Sequence, residues 1–198
     1  MRKIIIIMVV LLVAHTTSVM SQTDTDVVNF NAVLAEVFSI TVTSGNNQTA
    51  NFDTPTVYNT GIDAVGTSTV TVEATNDWDV NISAPDFTDG GGNSIPIDNL
   101  GLWCESTGNN TIGAEVTCAF TSLATSMGLT IADQLLFDLG TGTNAGDAAD
   151  NAFNLNWTMG TSNGSMNGAT MLQQVADGTI GAMGTYTTVA TLTLTAKP

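Results

Sequence analysis

The chain has 198 residues, with 18 acidic side chains against three basic ones and one histidine, a formal net charge of −15. Arg2, Lys3 and His15 all stand near the start, so from Gln22 onward a single lysine, Lys197, faces all 18 acids. That balance excludes a basic nucleic-acid interface and attraction to anionic lipid. It also leaves no histidine or arginine beyond the start to act as general base, metal ligand or phosphate clamp.

The opening residues read as a processing signal. Arg2 and Lys3 precede the apolar run from Ile4 to Ala14, and the small, polar stretch HTTSVMSQ follows. Charged, apolar and small-residue zones in that order predict a secretory signal peptide over residues 1–21, cut after Ser21. The apolar run is shorter than the roughly 20 residues a spanning helix needs, so no transmembrane segment is expected after cleavage. The mature chain, residues 22–198, would be one domain with one lysine against 18 acids, a net charge of −17. Its expected location is secreted, extracellular or cell-surface. In that oxidising space Cys104 and Cys118 are expected to form a disulfide, closing a ring of about 15 residues. The C-x-x-C spacing of a redox centre is absent.

From Val28 the pattern is that of strands. Val28, Phe30, Ala32 and Leu34 share one parity with Phe38, Ile40 and Val42, and Glu36 interrupts the run. Two strands, or one bent strand, are predicted there. SGNNQ (residues 44–48) is a turn, and Pro55 suggests an edge or a loop. Val70, Val72, Trp78, Val80 and Ile82 are all even-numbered, with Thr75, Asn76 and Asp77 between them. This predicts a hairpin whose Trp78 faces the core and whose Asp77 and Asp79 face water. Strands are also predicted in LGLWC, EVTCAFTS, QLLFDLG and AFNLNWTMG, and a turn or two of helix in ATMLQQVADG. The final stretch, GTYTTVATLTLTAKP, alternates again, with Tyr186, Thr188, Ala190, Leu192 and Leu194 on one parity. Short strands and glycine-rich turns with little helical periodicity predict an all-β protein, an Ig-like or Greek-key sandwich of about eight to ten strands.

Few residues suggest chemistry. Asp77 and Asp79 flank Trp78 as a carboxylate pair, an arrangement glycoside hydrolysis could use, but a solvated strand end explains them as well, and no catalytic residue is assigned. Asp86, Asp89, Asn93 and Asp98 surround a triple glycine, and Asn144, Asp147, Asp150 and Asn151 form a second acid-amide cluster. Hard oxygen ligands on such loops suit calcium, the one cofactor to consider, although ordinary turn chemistry favours the same residues. Trp103 and Trp157 are candidate ligand-contacting aromatics.

Two stretches, NDWDVNISAPDF and YTTVATLTLTAKP, together resemble the WxL type of bacterial surface domain. Trp78-Asp79-Val80 matches its first tripeptide with Val for Leu, and Tyr186, Leu192, Leu194 and Pro198 match its end, with Leu192 where a second tryptophan would stand. The closing strand is also similar to that of spore-coat-U-like and other fimbrial subunits. The WxL resemblance implies a non-catalytic, envelope-associated protein with envelope polymers or other surface proteins as partners, although a charge of −17 repels acidic wall polymers. The expected function is therefore an exported structural protein. The alternative is a carbohydrate- or calcium-binding extracellular module. The closing strand needs a partner. Pairing with the Val28–Val42 segment of its own chain is the favoured expectation, and self-assembly by strand addition, with Val28–Leu34 entering a second copy, is the alternative.

Overall fold

A computed structural model describes residues 30–181 and 183–197. The predicted signal peptide, residues 1–21, and Val28 lie outside the described residues. Residues 35–198 form one compact unit, and residues 30–34 belong to another, in which they carry no strand. The strand expected over Val28–Leu34 is therefore absent from the part of it that is described.

The unit is an all-β sandwich whose strands, β1 to β11 in chain order, pair only antiparallel. One sheet has the order β1 (Phe38–Ser44), β2 (Ile62–Ala74), β10 (Gly146–Met159), β6 (Leu100–Ser106) and β8 (Met127–Gly128). The other has the order β11 (Thr191–Ala196), β3 (Trp78–Ser83), β9 (Gln134–Leu139) and β7 (Val116–Thr117). A small ribbon joins β4 (Phe87–Thr88) to β5 (Ser94–Ile95).

The alternation read from the sequence places the core. Val70, Val72 and Ala74 of β2 are buried, as are Trp78, Val80 and Ile82 of β3, Leu102 and Cys104 of β6, and Phe153 and Leu155 of β10. Each large apolar side chain removed from water in this way contributes about 1.5–3 kcal/mol. Three rings form the centre. Trp78 meets Phe137 and Phe153 edge-on at 6.4 and 6.0 Å, and those two lie 4.5 Å apart.

Three expectations change. First, β2 and β3 are not a hairpin, because they lie in different sheets. Their shared parity arises because both face one core from opposite sides, and Thr75–Asp77 carries the chain across the end of the sandwich. Second, β11 pairs with β3, Leu192 opposite Ile82 and Leu194 opposite Val80, rather than with the N-terminal segment. Strand β1 pairs with β2 alone, so β1 and β11 each keep one outer edge unpaired among the described residues. Third, Pro55 opens a helix, α1 (Pro55–Thr60), rather than a loop. Proline suits the first helical position because its missing N–H would have no partner there, and the Thr54 hydroxyl accepts the Val57 N–H at 3.3 Å. The expected helix late in the chain is α2 (Met171–Ala176). Its Gln174 and the buried Asn99 exchange amide hydrogen bonds of 2.7 and 2.9 Å.

Gly45 ends β1 at φ 66°, and a Cβ on it would run into the Thr67 carbonyl oxygen. Gly45→Ala is expected to cost more than the roughly 1–2 kcal/mol of a left-handed non-glycine residue, because the clash is with backbone that cannot yield. Urea unfolding checks this.

Candidate functional site

The corner around Trp78 joins a buried aromatic to several polar side chains. Asn144, fully buried in the turn before β10, accepts the Trp78 backbone N–H through Oδ1 at 3.0 Å and donates through Nδ2 to the Trp78 carbonyl at 2.9 Å. Its own carbonyl accepts the indole N–H at 2.7 Å. The side-chain amide thus imitates one residue of a neighbouring strand. Asp77 Oδ1 holds the turn in place by accepting from Thr143 Oγ1 at 2.6 Å and from the Asn144 N–H at 3.0 Å. Asp79 differs: its Oδ1 is buried with no hydrogen-bond partner among the described residues.

Lys197 closes this corner. Its backbone N–H donates to the Asp77 carbonyl at 2.7 Å, and its ammonium pairs with Asp138. The hydrogen bond from Lys197 holds the Asp138 carboxyl below its ordinary range, and the same bond raises the ammonium. The pair is therefore intact across neutral pH, lost on the acid side as Asp138 protonates and on the alkaline side as Lys197 deprotonates. Its partners are 30% and 33% exposed, so water screens it and it contributes little stability. Asp77 and Asp79 sit in a structural corner that pins the last residues of β11.

The loop carboxylates face protein donors. Asp86 accepts the Ile97 N–H at 2.8 Å, and Asp89 accepts the Gly91 and Asn93 N–H groups and the Asn93 amide. The Asn93 amide, then the Gly91 N–H, hold the Asp89 carboxyl below its usual range. Asp98 accepts both bonds of the Asn167 amide. Asn93 joins Asp89, but Asp86 and Asp98 are held elsewhere. Among the described residues no group of three or more acidic, histidine or cysteine side chains is arranged to hold a metal ion. The second cluster is not one loop either, since Asp147, Asp150 and Asn151 belong to β10, where the pairing with β2 shifts between Gly146 and Asn151. Millimolar calcium is accordingly expected to leave the melting temperature unchanged. A rise would place the ion on one of these loops.

The two candidate tryptophans are not brought together. Trp157 shares the inward parity of Phe153 and Leu155, is buried, and donates its indole N–H to Ser68 Oγ at 2.8 Å. Trp103 has the opposite parity to Leu102 and Cys104 and is half-buried on the outer face of the same sheet, level with Asn156. Cys104 and Cys118 lie side by side as two thiols with their sulfurs hydrogen-bonded. Burial pushes the Cys104 thiol well up, whereas the bond from Cys104 lowers that of Cys118. Cys118 is thus the first of the two to ionise.

One feature of the site went unread in the sequence. Where the sheets part beyond Val42, a cavity of about 430 Å³ opens over Val70, Ile82, Leu155, Trp157 and Leu192. Gln48, Ala50, Phe87 and Met159 also line a second, neighbouring cavity of about 500 Å³. Residues 45–53 and 184–190 line the two cavities between them, and the second of these stretches, which alternates like a strand in the sequence, makes only an isolated bridge at Thr187 before β11 begins. Among the described residues, no helix is long and apolar enough to cross a membrane.

No protein-family model matches the chain, and no curated protein is significantly similar to it.

Proposed function

We propose that the protein is an exported, non-enzymatic structural component of the cell surface or extracellular space. The observation that carries this reading is how the polar side chains are used. Asp77 secures the Thr143–Asn144 turn, Asp86 secures the start of the short helix at Ile97, and Asp98 secures Asn167. Of the carboxylates that sequence chemistry would nominate for catalysis or metal binding, all but Asp79 accept hydrogen bonds from the fold. The apposed thiols support a Cys104–Cys118 disulfide, as an oxidising exterior would form. A hydrolase panel with glycoside, ester and peptide substrates tests the reading. No turnover is expected. Turnover that disappears in Asp77→Asn or Asp79→Asn would overturn it.

A second reading, a carbohydrate-binding module, is favoured by one face. On the outer side of the larger sheet, Thr67 and Thr69 donate to Asn156 and Asn154 at 2.8 and 3.1 Å, and Asn156 donates to Glu105 at 3.1 Å. Half-exposed Trp103 stands beside this polar rack. Retardation in gels containing a neutral polysaccharide, lost in Trp103→Ala, would support that reading. Equal mobility of the two proteins would remove it.

A further inference from the structure

We infer that the cavity of about 500 Å³ between α1 and the chain leading into β11 is a binding site for a small organic cation, an alkylated ammonium of the choline type. The inference goes beyond the structural reading above and does not rest on it. Both tyrosines of the chain, Tyr58 and Tyr186, line this cavity, together with Phe52 and Phe87. All four rings are half-buried and pack on the same small apolar cluster, which includes Met159 and Met171. Local structure sets them in place. The Thr54 carbonyl accepts the Tyr58 N–H at 3.1 Å in the first turn of α1, and the Phe52 and Tyr58 rings lie 5.4 Å apart, tilted by 57°. The Tyr58 hydroxyl donates to Met183 Sδ at 3.1 Å. Thr88 of β4 and Thr187 exchange two backbone bonds of 3.0 Å, which hold the segment carrying Tyr186 against the strand carrying Phe87.

The charge around the cavity selects the sign of the ligand. Continuing the antiparallel register of Thr88 and Thr187 places Asp89 opposite Tyr186. Burial first, then the charge of Asp89 and the neighbouring Tyr58, raise the Tyr186 hydroxyl above its ordinary value. The exposed Asp53 lines the cavity and accepts no hydrogen bond among the described residues. Lys197, the one cationic side chain among the described residues, is engaged with Asp138 of β9. An anion therefore meets only repulsion here. A bare metal ion needs several convergent oxygen ligands, and among the described residues no group of acidic side chains is arranged to supply them. A neutral sugar needs hydrogen-bonding groups over much of its surface, whereas the buried part of the lining is Ile95, Met159, Met171 and Ile180. An alkylated ammonium meets all three conditions. Its charge is spread over apolar groups that leave few or no N–H donors unpaired against such a lining. The negative faces of aromatic rings attract it within about 6 Å. The volume of about 500 Å³ falls inside the range of about 300–1,000 Å³ for small-molecule sites.

Isothermal titration calorimetry on the mature full-length chain at low salt tests this. Choline and tetramethylammonium are expected to bind saturably. The neutral carbon isostere of choline, in which a tert-butyl group replaces the trimethylammonium, should bind at least about tenfold more weakly, because the attraction between charge and ring faces is lost. Tyr58→Leu keeps apolar bulk but removes a ring face, and should weaken choline binding about tenfold with unchanged circular dichroism. Tyr58→Phe restores the ring and should recover the affinity. Asp53→Asn, at an exposed position, should weaken choline binding severalfold and leave the isostere unaffected. That variant decides the matter even if Tyr58→Leu does not fold. Absence of saturable binding of either cation up to about 10 mM overturns the inference. Equal binding of the isostere also overturns it, by marking a purely apolar site. So does choline binding unchanged by Asp53→Asn or by a folded Tyr58→Leu, which would place the cation elsewhere on the acidic surface. In each of those cases the non-enzymatic reading stands.

Discussion

Trp78→Ala is expected to destabilise the protein by about 3–5 kcal/mol, the range for removing a fully buried large aromatic. Domains of this kind are stable by only about 5–15 kcal/mol, so this one change takes a large share of the total. The loss has two sources. The side chain fills the centre of the sandwich against Phe137 and Phe153. Its indole N–H also satisfies the Asn144 carbonyl. Asn144→Ala separates the sources by leaving the ring in place and removing the partners of the Trp78 backbone N–H and carbonyl. Each buried group left unpaired costs about 1–3 kcal/mol. Urea unfolding of the two variants and of the wild type measures both. A Trp78→Ala protein within about 1 kcal/mol of wild type would mean that the core is not organised around this residue.

Opening the Cys104–Cys118 disulfide that the functional proposal includes would be the second large effect. A ring of about 15 residues restricts the unfolded chain enough to be worth about 3 kcal/mol in the chain-entropy model. Cys118→Ser is the cleaner variant, because Cys118 is half-buried whereas Cys104 lies in the core beside Leu155. The expected result is a lower melting temperature for the variant, matched by wild type held in reductant and not lowered further when reductant is added to the variant. If reductant leaves the wild type unchanged while the serine variant is destabilised, the two sulfurs act as packed thiols instead.

The sequence made the core legible because the buried faces are strict. Val70, Val72, Trp78, Val80 and Ile82 are inward-facing as their parity requires, and so are Phe153, Leu155 and Trp157. Parity alone does not say which sheet a strand joins. β2 and β3 therefore resembled a hairpin, since two strands facing one core from opposite sides carry the same pattern as two that pair. The run Val28–Leu34 shows the converse. Its alternation is as regular as that of β1, yet residues 30–34 form no strand, because alternation records the capacity to bury one face and not the presence of a partner.

Polar residues were harder to read. Asn144 in TNAG looked like a loop ligand, and nothing local marks an asparagine whose amide completes a strand beginning 66 residues earlier. Asp77 looked solvated, but one of its oxygens holds that turn. Pro55 was ambiguous because proline suits both an edge and the first position of a helix, and the Thr54 cap decides between them. The cavities could not be read from patterning, since residues 184–190 alternate like a strand yet make only an isolated bridge at Thr187.

Export into an oxidising space underlies the functional account, and the intact mass of the protein recovered from fractionated cells tests it most directly. The expected species is in the extracellular or surface fraction, begins at Gln22 and is two hydrogens lighter than the reduced chain. A species that retains Met1–Ser21, carries two free thiols and stays inside the cell would contradict the account.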